Sequence, residues 1–139
     1  MYEIVLKPNN KYKDIYYYIT KNEAGQILFL ELECDSTNKC DWYYVKLQIG
    51  KRKEGYQFLK VTGKDGLKSL IWAKNCIKHF IEYIKNKPNY WITDKTIKSK
   101  IVIHWDDTQR QNVYLRGLKN LKFYYGVCEK RKALICDIN

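Results

Sequence analysis

Arginine is scarce in this chain: four Arg stand beside 22 Lys. Bidentate recognition of guanine edges and of phosphates favours the guanidinium fork, so the shortage weakens a reading as a sequence-specific DNA reader. Proline is limited to Pro8 and Pro88, and no low-complexity linker or internal repeat breaks the chain. One domain over residues 1–139 is therefore expected. No apolar run reaches the roughly 18 residues of a membrane span, and the start MYEIVLKPNN has no signal-peptide core. The expectation is a cytoplasmic protein with no membrane partner. Histidine is limited to His79 and His104. The five cysteines (Cys34, Cys40, Cys76, Cys128 and Cys136) form no CxxC pair. That spacing closes no zinc pattern and predicts free thiols in a reducing compartment, with no metal. A Walker loop, GxxxxGK[ST], is also absent.

What is present is positive charge and aromatic carbon. The 26 Lys and Arg exceed the 15 Asp and Glu, giving a net charge of +11. At 45% hydrophobic and 15% aromatic residues, the chain can build a core, which a disordered basic tail cannot. The charge is uneven. Residues 1–41 hold five Lys against seven acidic residues, and residues 42–139 hold 21 basic residues against eight acidic ones. A polyanionic partner, whether nucleic acid or a phosphorylated cofactor, is expected to meet the second part. The richness in Lys, Asn, Ile and Tyr also fits an AT-rich coding sequence, as in a phage or mobile element.

The order of patterns predicts strands first. Tyr2–Lys7, Asp14–Thr20, Gln26–Cys34, Trp42–Ile49 and Tyr56–Val61 are rich in aromatic and branched residues and are separated by short polar links. Such links favour antiparallel hairpins. The period then changes to that of a helix. Leu67, Leu70, Ile71, Ile77, Phe80, Ile81 and Ile84 form one stripe, with Trp72, Cys76, His79 and Tyr83 beside it. Asp65 starts this helix, Asn86 and Pro88 end it, and Lys74, Lys78 and Lys85 mark its wet side. Lys100–Trp105 reads as a strand, Thr108-x-x-Gln111 as a capping box opening a second helix to about Leu121, and Ala133–Ile138 as a last strand. The expected fold is α+β: a mainly antiparallel sheet of five to seven strands with two helices.

One junction stands out. The run Val61–Leu70, VTGKDGLKSL, takes a strand through a glycine–lysine loop into the long helix. Such a junction offers free backbone N–H groups and the positive helix end to an anion. Lys60-x-x-Gly63-x-Asp65-Gly66 and Gly63-Lys64-Asp65-Gly66-Leu67-x-x-Leu70 resemble the loop of the GCN5-related N-acetyltransferases, which holds the acetyl-CoA pyrophosphate. Val113-Tyr114 and Leu118-Lys119-Asn120-Leu121-Lys122-Phe123 are similar to the family's later helix and its ending. The resemblance spans about residues 56–138. It implies a GNAT-like sheet and acetyl-CoA as cofactor. The cofactor would lie on Lys60, Val61, Thr62, Gly63, Lys64, Gly66, Leu67 and Lys68; direct alignment puts Leu118 where the family has the tyrosine that protonates the departing thiolate, and Tyr114, one helical turn earlier, takes that role only in a shifted helix. Asp65 stands where the family has Gly or Ala, Lys122 stands for a Gly, and the two helices after the family's first strand are absent.

The resemblance implies direct acyl transfer to an amine, with a general base among Glu31, Glu33, Glu54 and His104; spacing favours none of them. Asp106-Asp107 reads most simply as a helix cap. The alternative function is a basic nucleic-acid-binding or protein-interaction domain without catalysis. Tyr16, Tyr17, Tyr18, Trp42, Tyr43 and Tyr44 lie on strands near Lys51, Arg52 and Lys53. Aromatics on a sheet beside basic residues can stack bases and hold phosphates, but strand alternation lets only half of them share a face. Lys130-Arg131-Lys132 reads as a solvated hairpin tip.

Overall fold

The computed structural model describes residues 2–9, 11, 14–21, 25–37, 40–50, 57–58, 65–86, 98–104 and 118–138. Eight strands build one sheet: β1 (Lys7–Pro8), β2 (Ile15–Lys21), β3 (Ile27–Thr37), β4 (Cys40–Gly50), β5 (Gln57–Phe58), β6 (Lys98–His104), β7 (Tyr124–Cys128) and β8 (Arg131–Asp137). The order across the sheet is β1-β2-β3-β4-β6-β8-β7, with β5 pairing onto β4 off this path. The long helix α1 (Asp65–Asn86) lies between β5 and β6 in the chain.

This corrects the expected fold class. The sheet is mixed, because β4 and β6 run parallel at its centre. α1 is the one α-helix among the described residues, where two were expected. Most of the second expected helix, from Thr108, lies outside the described residues. Its end is a 3-10 turn at Lys119–Leu121, followed by Lys122 in the left-handed region at φ 61°. The two edges of the sheet also differ. Tyr2–Leu6 is not a strand, and β7 occupies a stretch read as a connection. Exposed tyrosines and Val127 hide β7 from a periodicity argument, because an edge strand need not bury a face.

Alternation along each strand divides the sheet into two faces. Tyr18, Leu28, Leu30, Leu32, Tyr43, Leu47, Ile101, Ile103, Leu134 and Cys136 are buried in one cluster with α1. The helix supplies Trp72, Ala73, Cys76, Ile77, Phe80 and Ile81 to it. Each large side chain so buried contributes about 1.5–3 kcal/mol. The inward stripe is therefore rotated from the one the sequence suggested. Ile71 is 49% exposed, and His79 and Tyr83 are exposed as well, whereas Trp72 and Cys76 are buried. Phe80 sits at the centre, its ring 5.0 Å from Tyr43 and 5.6 Å from Tyr16. Trp72 Nε1 donates to the Glu3 carbonyl at 2.8 Å. That bond ties the N-terminal segment to the helix, so Tyr2, Ile4 and Leu6 pack on the core without forming a strand. All five cysteines are free thiols, and Cys76, Cys128 and Cys136 are buried.

The opposite face has a smaller cluster of Val102, Cys128, Ala133 and Ile135, with Trp42 and Tyr44 packed against it. No helix among the described residues is long and apolar enough to cross a membrane.

Candidate functional site

The parallel pair at the centre of the sheet defines the site. Cys40–Tyr44 of β4 pair with Lys98–Val102 of β6, and the ladder ends there among the described residues. Both strands continue, β4 to Gly50 and β6 to His104. Beyond the last pair, β3 still covers one edge of β4 along its full length. β6 still pairs with β8 through Ile103↔Leu134 and His104↔Ala133. The facing stretches, Val45–Leu47 on β4 and Ile103–His104 on β6, have no ladder pair with each other among the described residues; this stretch is termed the wedge. β5 closes its far end by pairing with Gln48 and Ile49.

Chain direction fixes what stands at this wedge. It opens at the carboxyl ends of two parallel strands, the usual place for a ligand in a sheet with a helical crossover. α1 lies in the crossover from β4 to β6, after β5. Strand edges offer unpaired amides and carbonyls to an extended ligand, and a helix start offers N–H groups to an anion.

His104 lines the wedge on the face opposite α1. Its ring lies nearly parallel to Tyr44, 6.2 Å between centroids and 13° between planes. Nδ1 is 3.2 Å from the carbonyl oxygen of Lys132. A carbonyl can only accept, so Nδ1 carries the hydrogen, and the neutral ring keeps its lone pair on Nε2. Nε2 is buried and has no partner among the described residues. Leaving a buried acceptor in that state costs about 1–3 kcal/mol.

Tyr44 is held from the other side. Its hydroxyl donates to Glu129 Oε1 at 3.4 Å and lies 3.5 Å from Cys128 Sγ. Burial pushes the Tyr44 phenol up, and the Cys128 and Glu129 neighbours push it further. Glu129 and Lys130 both have positive φ, 52° and 63°, and form the two-residue turn of the β7–β8 hairpin. That turn places Lys132 beside His104. Lower on the same face, Lys100 Nζ is 3.3 Å from Asp137 Oδ1, 3.5 Å from the Tyr124 hydroxyl and 5.4 Å from the Trp42 ring centroid. Burial pulls the Lys100 pKa down, but the bonds to Asp137 and Tyr124 outweigh it and leave it raised. Lys100 is thus a structural cation.

The structure brings together only part of the expected site. Lys60, Val61, Thr62, Gly63 and Lys64 lie outside the described residues, as do Tyr114, Glu54, Asp106, Asp107 and Lys51–Lys53. Gly66 and Leu67 fall in the first turn of α1, and Lys68 is exposed there. Glu31 and Glu33 stand on β3, one strand away from the wedge; Glu31 is in register with Lys46, and Glu33 lies 3.9 Å from it. The aromatic run splits as alternation requires: Tyr16, Tyr18 and Tyr43 turn to α1, and Tyr17, Trp42 and Tyr44 to the other face. Lys130, Arg131 and Lys132 are exposed around the hairpin tip. Sequence reasoning missed the pairing of His104 with Lys132, because no motif records a backbone carbonyl 28 residues away. Among the described residues no three His, Cys, Asp or Glu side chains gather as a metal site. No family model, curated protein or solved structure matches the chain.

Proposed function

We propose that the chain binds an acyl-CoA at the carboxyl end of the β4–α1–β6 unit and transfers its acyl group to an amine. The observation that carries this reading is the end of the β4–β6 ladder after Tyr44 and Val102, at the carboxyl ends of two parallel strands with α1 in their crossover. A ligand suited to it has an extended, amide-bearing arm to pair with strand edges and a phosphorylated end for the helix start. Acyl-CoA has both. The resemblance of residues 56–138 to the GCN5-related N-acetyltransferases points to the same ligand. Lys60, Lys64 and Lys68 add positive charge near the phosphates, and Gly63 and Gly66 let them approach the backbone.

In this reading the thioester carbonyl lies in the wedge. An uncharged amine attacks it, the C–N bond forms, the C–S bond breaks to release CoA thiolate, and the nitrogen gives up its proton to water. Backbone N–H groups along the strand edge polarise the carbonyl. Tyr114 is the candidate acid for the thiolate.

Titration with CoA and acetyl-CoA tests the reading, followed by thermal shift and tryptophan fluorescence. Stabilisation in the native protein, lost in Gly66→Trp, supports it. No shift with either ligand overturns it. A second reading, a nucleic-acid-binding surface, is favoured by Tyr17, Trp42 and Tyr44 sharing one face of a protein with net charge +11. Its mark is single-stranded oligonucleotide binding that weakens steeply with salt.

A further inference from the structure

We propose that the outer edge of β7 docks an extended, acid-flanked segment of a partner protein as an added strand. The site is separate from the β4–β6 ladder, since β8 stands between β6 and β7.

The two edges of the sheet are built differently. β1, at one edge, is two residues long, Lys7 and Pro8, and the proline has no N–H to offer. Short strands, lysine and proline are the usual means of closing an edge to pairing. β7, at the other edge, is the five-residue run Tyr124-Tyr125-Gly126-Val127-Cys128, with no charge and no proline. Val127 is 71% exposed and Tyr125 56%, and with Tyr124 they make up half of the exposed large hydrophobic side chains among the described residues.

The hairpin turn fixes which backbone groups face outward. Glu129 and Lys130, both at positive φ, form a two-residue turn between the paired Cys128 and Arg131. In such a turn the closing pair is hydrogen-bonded, and bonded pairs alternate from there. Cys128, Gly126 and Tyr124 therefore turn their N–H and C=O groups to β8, and Tyr125 and Val127 turn theirs away from it. The far side of β8 agrees with this phase. The Lys132 carbonyl reaches His104 and the Ile138 N–H reaches Ser99, so the alternate residues of β8 face β6. The backbone groups of Val127 have no partner among the described residues. An outward N–H and C=O beside an exposed apolar side chain are what an added strand pairs with.

Charge selects the occupant. Lys122 precedes the strand, and Lys130 and Lys132 follow it. All three are exposed, and none is in an ion pair among the described residues. The carboxylates close by are engaged: Glu129 accepts from the Tyr44 hydroxyl, and Asp137 holds Lys100 and Tyr124. A second copy of this chain fits poorly. Antiparallel pairing of two β7 strands about Gly126 sets Lys122 opposite Lys130, and pairing about Val127 sets it opposite Lys132. Like charges directly opposed destabilise a sheet. A segment with apolar residues at its centre and carboxylates at both ends meets the same lysines favourably.

Fluorescence anisotropy with a labelled synthetic peptide tests this. The peptide alternates valine and threonine and carries a pair of glutamates at each end; its counterpart carries lysines there. The glutamate-ended peptide is expected to bind the native protein, and the lysine-ended one at least about tenfold more weakly at low salt. Val127→Pro removes an outward N–H and leaves the bonds to β8 in place. It is expected to keep its circular dichroism and to weaken binding at least about tenfold. The native protein supplies a readout that needs no variant: the Val127 amide resonance shifts with the glutamate-ended peptide, and those of Leu30 and Phe80 do not. No binding of that peptide to the native protein overturns the proposal. So does equal binding by a folded Val127→Pro, or a peptide shift confined to residues outside β7. Sedimentation showing a native dimer and a monomeric Val127→Pro also overturns it, because the edge then belongs to a second copy.

Discussion

The hydroxyl of Tyr18, a wholly buried side chain on β2, lies 2.8 Å from Nδ1 of His79, an exposed residue on α1. The rings meet edge to face at 5.7 Å. A tyrosine is tolerated at the bottom of this core because the helix hands it a polar partner from its wet side. Tyr18→Phe removes the hydroxyl and keeps the ring. Since His79 can turn to water, the loss is expected at about 1 kcal/mol. Tyr18→Ala removes the packing too and is expected to cost about 3–5 kcal/mol. Urea denaturation of both variants checks the ordering.

Several buried acids make the fold sensitive to alkali. Burial pushes the phenols of Tyr18, Tyr43 and Tyr44 above their ordinary 10.0, and the thiols of Cys34, Cys76 and Cys136 above their ordinary 9.0. In the unfolded chain these groups lose their protons first. Between the ordinary and the folded values the native state binds more protons, so stability falls as pH rises. It is expected to be level with respect to these groups below about pH 8 and to decline from pH 9 upward. Denaturant midpoints between pH 7 and 11 check this. A variant with alanine at those three cysteines should move the onset towards pH 10.

The face that α1 presents has a direct test. Phe80 is fully buried between Tyr16 and Tyr43, and Ile71 is 49% exposed. Phe80→Ala is expected to cost about 3–5 kcal/mol. Ile71→Lys is expected to change stability by less than about 0.5 kcal/mol. Equal losses in the two variants would contradict the helix orientation described above.

The sequence made the helix and most strands legible, because each carries its own signal. Asp65 and Asn86 bound α1 as read, and β2, β3, β4, β6 and β8 overlap the expected segments. The phase of the helix was less clear. Ile71 looks like core by type, and Ala73 looks neutral, yet the inward set 72, 73, 76, 77, 80, 81 is the one that follows 3.6 residues per turn. The parallel pairing of β4 with β6 was hidden for another reason. Short links dominate the first half and argue for hairpins, and strand direction across a long crossover has no local mark. The surroundings of His104 were hidden too. Its partners are a carbonyl on β8 and a ring on β4, and both reach it through tertiary structure.

The wedge itself predicts a pattern of amide exchange. Along β4, N–H groups alternate between the β3 edge and the β6 edge. At Asp41–Tyr44 both edges are covered, by β3 and by β6. At Val45–Leu47 only the β3 edge is paired among the described residues. An amide there that points away from β3 is therefore expected to exchange faster than any amide of Asp41–Tyr44, and faster than those of Leu30 or Ile101 in the core. A ligand lying along the strand edge should slow this amide and leave the Tyr17 and Trp42 face unchanged. A polyanion held on the aromatic face should do the reverse. Exchange measured by nuclear magnetic resonance, with acetyl-CoA and then with a single-stranded oligonucleotide, thus separates the two functional readings at one residue. Uniform protection through Leu47 in the ligand-free protein would mean that the strands do not part, and the acyl-CoA reading would lose the geometry that supports it.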